Sequence, residues 1–208
     1  MKSGSFREKY ERATVPIGKA LAKLRLTPNI VTGLSIVVAV CSIYFFYMKN
    51  MLMAFILVLL AGVLDILDGA LARALGKTSK LGTLLDNTAD RVVEGVIIIG
   101  LIVSGAVSSI LAATALLAMF LPSYIRARGE AEFKVGARGV GIFERKEKLA
   151  ILFGILIILS FASSPIMIPI ATLEISLVDL LLIALIAGSS ISSIQRVSFF
   201  SKLEQEGR

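Results

Sequence analysis

Apolar runs of about twenty residues, the length that spans a bilayer core, recur along this chain and limit its fold more than any other feature. Six can be marked, at 30–48, 52–73, 81–103, 106–127, 149–169 and 177–198. Lys49-Asn50, residues 76–80, Ser104-Gly105, the charged stretch 128–148 and the region of Glu174 separate them. Backbone in hydrocarbon must satisfy its polar groups internally, so each run predicts a helix. The expected class is an all-α integral membrane protein with six transmembrane helices. The expected layout is a cytoplasmic juxtamembrane segment over 1–28, a six-helix domain over 29–200 and a cytoplasmic tail over 201–208.

Composition supports this. Hydrophobic residues make up 56% and charged residues 18% of the 208 positions, against roughly 25% charged in soluble domains. Soluble-enzyme and nucleic-acid-binding readings are excluded once the net charge of +7 is placed. Of the 22 Lys and Arg, Lys49 alone falls in a loop on one side of the membrane. The N-terminal segment, the 74–80 and 128–148 connections, the C-terminus and the adjoining span ends hold the rest. The positive-inside rule makes that richer side cytoplasmic and puts both termini there, in a multi-pass protein of the cell membrane.

Before the first run, Phe6, Tyr10, Ala13, Ile17, Leu21 and Leu24 recur at steps of three and four, with Arg7, Lys9, Arg12, Lys19, Lys23 and Arg25 between them. That is the pattern of a helix lying in the headgroup plane, divided near Pro16. It serves either as a basic anchor for anionic lipid or as one wall of a headgroup site.

With no histidine and one cysteine, the usual zinc sites, a histidine-based triad and a disulfide framework are excluded. A metal here must be held by oxygen, which favours Mg²⁺, Mn²⁺ or Ca²⁺. Cys41, inside an apolar run, reads as a small buried hydrophobe.

Four carboxylates stand where lipid should be: Asp65 and Asp68 in the second run, Asp86 and Asp90 in the third. At a span centre each would cost about 2.5–3.5 kcal/mol. Such groups face a bundle interior or an aqueous cavity and need positive partners. Spacings of three and four put each pair on one helix face. At 1.5 Å per residue, Asp68 and Asp86 lie about 7–8 Å inside their span ends, and Asp65 and Asp90 about 12–14 Å. Neighbouring antiparallel helices can therefore pool four negative charges at matched depth, and a pair of divalent ions is the natural occupant. Two such ions can clamp a phosphoryl group during displacement. A cation path and helix-pairing polar groups are the competing readings. Gly69 and Gly82 remove side chains where a ligand or a neighbouring backbone approaches. Arg73 suits either a phosphate or the headgroup layer.

Taken together, Asp65-x2-Asp68-Gly69-x2-Ala72-Arg73-x8-Gly82-x3-Asp86-x3-Asp90 resembles, at every fixed position, the signature of the CDP-alcohol phosphotransferases. The resemblance implies a six-helix membrane fold, usually a homodimer, with 29–200 as the catalytic domain. It implies transfer of a phosphoalcohol from a CDP-alcohol to an acceptor hydroxyl, with release of CMP. It further implies that Asp65, Asp68, Asp86 and Asp90 hold two divalent cations, Mg²⁺ or Mn²⁺, and that Asp90 also acts as base. Chemically, Asp90 suits either that role or a purely ligating one, because adjacent cations lower a carboxyl pKa. Asp65, Gly69, Ala72, Arg73 and Gly82 are the positions assigned to the nucleotide and pyrophosphate. Pro28-Asn29 with Thr32 resembles a further family segment, which adds Asn29 to the nucleotide set; a helix start explains it equally well. Arg91 and Glu94, three apart, are expected to form a structural ion pair beside Asn87.

Ser123-Tyr124-Ile125-Arg126-Ala127-Arg128, Glu144-Arg145-x-Glu147-Lys148 and Gln195-Arg196 resemble acceptor-side segments of the phosphatidylinositol-phosphate synthase branch. Two departures from bacterial members are visible: Lys is usual where Arg126 stands, and Pro then Arg where Lys146 and Lys148 stand. The resemblance implies that Arg126, Arg128, Arg145, Lys148 and Arg196 receive the phosphate of inositol 1-phosphate. The donor would be CDP-diacylglycerol or the archaeal ether lipid CDP-archaeol. Glycerol 3-phosphate is the rival acceptor. An ion or proton transporter is the rival class; the cytoplasmic bias of the carboxylates and the lack of an internal repeat weigh against it. The glycine-rich stretch 136–141 follows no predicted strand and is read as a loop, not a dinucleotide fingerprint.

Overall fold

The computed structural model describes residues 16–18, 20–23, 26–76, 79–162, 164–170 and 173–206. The amphipathic pattern expected over 1–28 therefore lies largely outside the described residues, although 16–18 and 20–23 are helical. The elements that follow are α1 (Pro28–Tyr47), α2 (Met51–Ala74), α3 (Lys80–Ser104), α4 (Ser109–Phe133), α5 (Arg145–Phe161), β1 (Met167–Ile170), β2 (Leu173–Ser176) and α6 (Leu177–Gln205). Each of the six apolar runs contains a helix. Four of the helices, α1, α2, α4 and α6, are long and apolar enough to cross a membrane. The other two fall short for visible reasons: α3 carries Asp86, Asp90, Arg91 and Glu94, and α5 has only 17 residues. The chain is a mostly helical membrane protein.

Short polar signals set the helix ends. Before α1, the Ile30 amide lies 3.4 Å from Thr27 Oγ1, with Pro28 in the first helical position, where its missing N–H costs nothing. Ser79 caps α3 by accepting from the Gly82 amide at 2.9 Å. Ser176 Oγ accepts from the Asp179 amide at 3.0 Å to open α6. The turn after α3 needs φ +70 at Gly105, a left-handed value that glycine adopts without a Cβ penalty.

Two boundaries and one burial depart from expectation. The run 149–169 does not stay helical: α5 ends at Phe161, where the Ala162 amide still reaches Ile158 O at 2.8 Å. Pro165 and Pro169 then supply no donors, and an antiparallel ribbon follows, with Met167 opposite Ser176 and Pro169 opposite Glu174. Isoleucines at 166, 168 and 175 favour extended backbone there. The chain stays mostly helical, as the expected class requires, with this short hairpin among the described residues. At the other end, α6 runs on to Gln205, through most of the stretch expected as a tail. Cys41, expected inside, is exposed on α1, because it shares the outer face of Val37, Val40 and Tyr44, which are also exposed.

The chain divides into two compact units. In one, which runs to Phe45 and resumes over Met53–Ile97, Ala39, Ala61 and Val96 form a buried cluster flanked by Val38, Ile43, Val92 and Val93. Gly18 lies so near the Ala70 carbonyl that a Cβ there would overlap it. The other unit comprises Phe46–Leu52 and Ile98 onward. In it Phe133 stacks on Phe200, centroids 5.2 Å apart, and a Cβ at Gly129 would overlap the Phe200 ring.

Candidate functional site

Within the first unit, α2 carries Asp65 and Asp68 in its last three turns and α3 carries Asp86 near its start. Each of these three aspartates offers an oxygen within 4.8 Å of the others. Asp68 is 5% exposed, and Thr32 Oγ1, itself 3.1 Å from the Pro28 carbonyl, donates a hydrogen bond to its Oδ2. Three carboxylates so close repel strongly when charged. An all-oxygen set of this kind, one member buried, fits a hard divalent cation.

A cleft opens beside this cluster. It is lined by Asn29, Gly69, Ala72, Arg73 and Gly82, five of the six residues expected at the nucleotide, together with Asp68 and Asp86. The sixth, Asp65, belongs to the carboxylate trio. Both motif glycines have a local reason: a Cβ at Gly69 would come 3.3 Å from Arg73 Nη1, and one at Gly82 would come 3.2 Å from Ser79 Oγ. Gly69 thus leaves room for the Arg73 guanidinium to lie along α2. Pro28, Thr32, Ser79 and Thr83 also line the cleft. Ser79 and Thr83 were not anticipated. The signal was there in the serine that precedes the apolar run of α3, a helix cap facing the motif.

The fourth aspartate is placed differently. Asp90 is buried, 6% exposed, but among the described residues it does not join the group in which all carboxylates lie within 4.8 Å of one another. Beyond it the expected ion pair is present, with Arg91 Nη1 2.6 Å from Glu94 Oε2. Asn87 turns back on its own helix, donating to Thr83 O at 2.8 Å.

The five basic residues expected at the acceptor phosphate all lie in the second unit, in three states. Arg126 and Arg128 pair along α4, with Glu130 at 2.9 Å and Glu132 at 2.6 Å. Lys148 is 3% exposed and donates from Nζ to Met119 O at 2.7 Å. Arg196 is 5% exposed; its Nε donates to Val140 O at 2.9 Å and its Nη1 to Pro122 O at 2.5 Å. Arg145, the first residue of α5, is exposed. Lys148 and Arg196 therefore serve as donors to carbonyls of α4 and of the 134–144 loop, a role invisible in their spacing. That loop is held further by the Ile142 amide on Gln195 Oε1 and the Phe143 amide on Ser192 Oγ, both at 2.9 Å.

Known proteins share both pattern and fold. The family model for CDP-alcohol phosphatidyltransferase matches residues 25–191. An archaetidylinositol phosphate synthase from Pyrococcus horikoshii is 38% identical over 147 residues, covering 71% of this chain and 78% of its own. The crystal structure of Mycobacterium tuberculosis phosphatidylinositol phosphate synthase with CDP-DAG bound superposes with a TM-score of 0.76 at 28% identity, over 91% of this chain and 94% of that one. The same enzyme in complex with manganese and citrate gives 0.76 at 28% identity, over 90% and 88%.

Proposed function

The chain belongs to the CDP-alcohol phosphatidyltransferase family, and from that premise we propose that it transfers the phospholipid moiety of CDP-diacylglycerol or CDP-archaeol to inositol 1-phosphate and releases CMP. The observation that carries this is the meeting, in one cleft, of the signature residues with a carboxylate cluster whose central member, Asp68, is buried. The names of the relatives support the choice of acceptor. Membership in a transferase family leaves the transporter reading without support.

Asp65, Asp68, Asp86 and Asp90 would hold two divalent cations, Mg²⁺ or Mn²⁺, which when bound neutralise the charge of the pyrophosphate. The rest of the work falls to the chain. Arg73 pairs with the pyrophosphate, Asn29 offers its amide to the nucleotide, and Gly69, Ala72 and Gly82 let that nucleotide come close to backbone. The acceptor oxygen forms a bond to the phosphorus that bears the lipid. The bond from that phosphorus to the bridging oxygen breaks, CMP departs with the bridging oxygen, and Asp90 receives the hydroxyl proton. Such transfers depend mainly on positioning and charge neutralisation, which these side chains provide. Arg126, Arg128, Arg145, Lys148 and Arg196 are assigned the acceptor phosphate; Lys148 and Arg196 already donate to carbonyl oxygens.

The same reading extends to the membrane. All six helices cross it, and residues 29–200 form the catalytic domain. The 1–28 segment lies as an amphipathic helix on the cytoplasmic surface, where both termini, the 201–208 tail and the active site face; the one-sided placement of Lys and Arg supports this. The working form is a homodimer. CMP release measured with inositol 1-phosphate, glycerol 3-phosphate and unphosphorylated alcohols, in Mg²⁺ and in Mn²⁺, tests the acceptor. Turnover confined to glycerol 3-phosphate would transfer the assignment to that alcohol.

A further inference from the structure

An acceptor phosphate, on the reading just given, needs a cation that it can reach, and Arg126 differs from the buried Lys148 and Arg196 in being partly exposed. Its Nε donates to Glu130 Oε1 at 2.9 Å. Its two Nη groups have no partner among the described residues, and the side chain is 33% exposed. Lys148 and Arg196, by contrast, spend donors on carbonyls. A guanidinium held at Nε and open at Nη presents the fork that binds phosphate in bidentate fashion.

What holds Nε is itself anchored. Helix α4 ends at Phe133, and Lys134, with φ +52, turns the chain back. The Ala137 amide then donates to Glu130 Oε1 at 2.8 Å, the same oxygen that accepts from Arg126. Ala137 is fully buried in a cluster with Phe200 and Leu203, against which Phe133, Val135 and Val140 pack. The carboxylate is thus tied to a packed part of the unit, and through it so is Arg126. An unheld arginine has rotamer entropy to lose on binding; a held one has already lost part of it.

We propose that Glu130 is a positioning residue for the acceptor: through the Ala137 amide it fixes Arg126 Nε and keeps both Nη groups available to the acceptor's phosphomonoester. This rests on the acceptor assignment above and concerns the phosphate alone, so it holds for any phosphorylated alcohol the enzyme accepts.

The test is steady-state CMP release by full-length enzyme in detergent or vesicles, with acceptor and CDP-lipid varied separately. Glu130→Ala is expected to raise the acceptor KM about tenfold while leaving the CDP-lipid KM unchanged. In an Arg126→Ala background the same substitution should add nothing further to the acceptor KM, as a double-mutant cycle requires of a residue acting through its neighbour. Equal rises in both KM values, or an undiminished effect in that background, overturn the proposal and reduce Glu130 to a support for the loop. If Glu130→Ala does not fold, Glu130→Gln keeps an oxygen for the Ala137 amide and serves instead. It is expected to raise only the acceptor KM, by about threefold, and no change in either KM overturns the proposal. Wild-type turnover with an unphosphorylated alcohol and none with a phosphorylated one is a different failure, since it removes the acceptor reading before Glu130 is reached.

Discussion

In the unit that holds α2, three carboxylates of one sign offer oxygens within 4.8 Å of each other. In the unit that holds α4, α5 and α6, the buried Lys148 and Arg196 each meet a carbonyl oxygen, and Arg126 and Arg128 each meet a carboxylate. Both arrangements begin as charge in segments too apolar to want it. They differ in how the charges are grouped: like with like in the first unit, each beside an oxygen in the second. The cations of the second unit are matched locally and so contribute to the fold. The aspartates of the first unit instead gather one sign of charge in a small volume, the kind of oxygen set that a hard divalent cation fits.

Three substitutions put that contrast under strain. The largest effect is expected from Asp68→Asn, which should lower CMP release by about 10³-fold or more by disabling the cation site. Because a like charge is removed, the thermal midpoint of the metal-free protein should rise slightly. The upward shift produced by adding Mg²⁺ to wild type should vanish. A fall in the metal-free midpoint would place the aspartates with the locally matched charges and break the contrast. Lys148→Met is the opposite case: it removes a buried donor from Met119 O and should destabilise by about 1–3 kcal/mol, equally with and without Mg²⁺, in thermal or denaturant unfolding. The smallest effect belongs to Arg128→Gln. That pair is more than half exposed at both side chains, so a change under about 0.5 kcal/mol is expected; a larger loss would sharpen the contrast by showing that even surface pairs in this unit support the fold.

How much of this could be read from residue order depends on the kind of interaction. The apolar runs, Pro28 and the Arg91–Glu94 pair rest on periodicity and local spacing, and each reappears. The cleft was legible because Gly69, Ala72 and Arg73 follow Asp68 on one helix, so contiguity already brought most of it together. Asp90 was harder. Matched depth and a shared face put it with the others, yet among the described residues it is Asp65, Asp68 and Asp86 whose oxygens all lie within 4.8 Å of one another. The basic residues were hardest, since the acceptors for Lys148 and Arg196 are backbone carbonyls, which every residue has and no pattern distinguishes. Likewise the break after Phe161 turned on Pro165 and Pro169, lost in a run that hydropathy alone would carry onward.

One consequence of the Arg196 hydrogen bond to Pro122 O concerns order of birth. The two partners lie 74 residues apart, so the carbonyl leaves the ribosome well before its donor exists. Helix α4 can enter the bilayer by itself, but the polar join at its proline closes only after the final helix has been synthesised. Biogenesis of this half of the chain is therefore completed from the C-terminal end, and a truncation before Arg196 would leave an inserted yet unfinished helix for quality control to find.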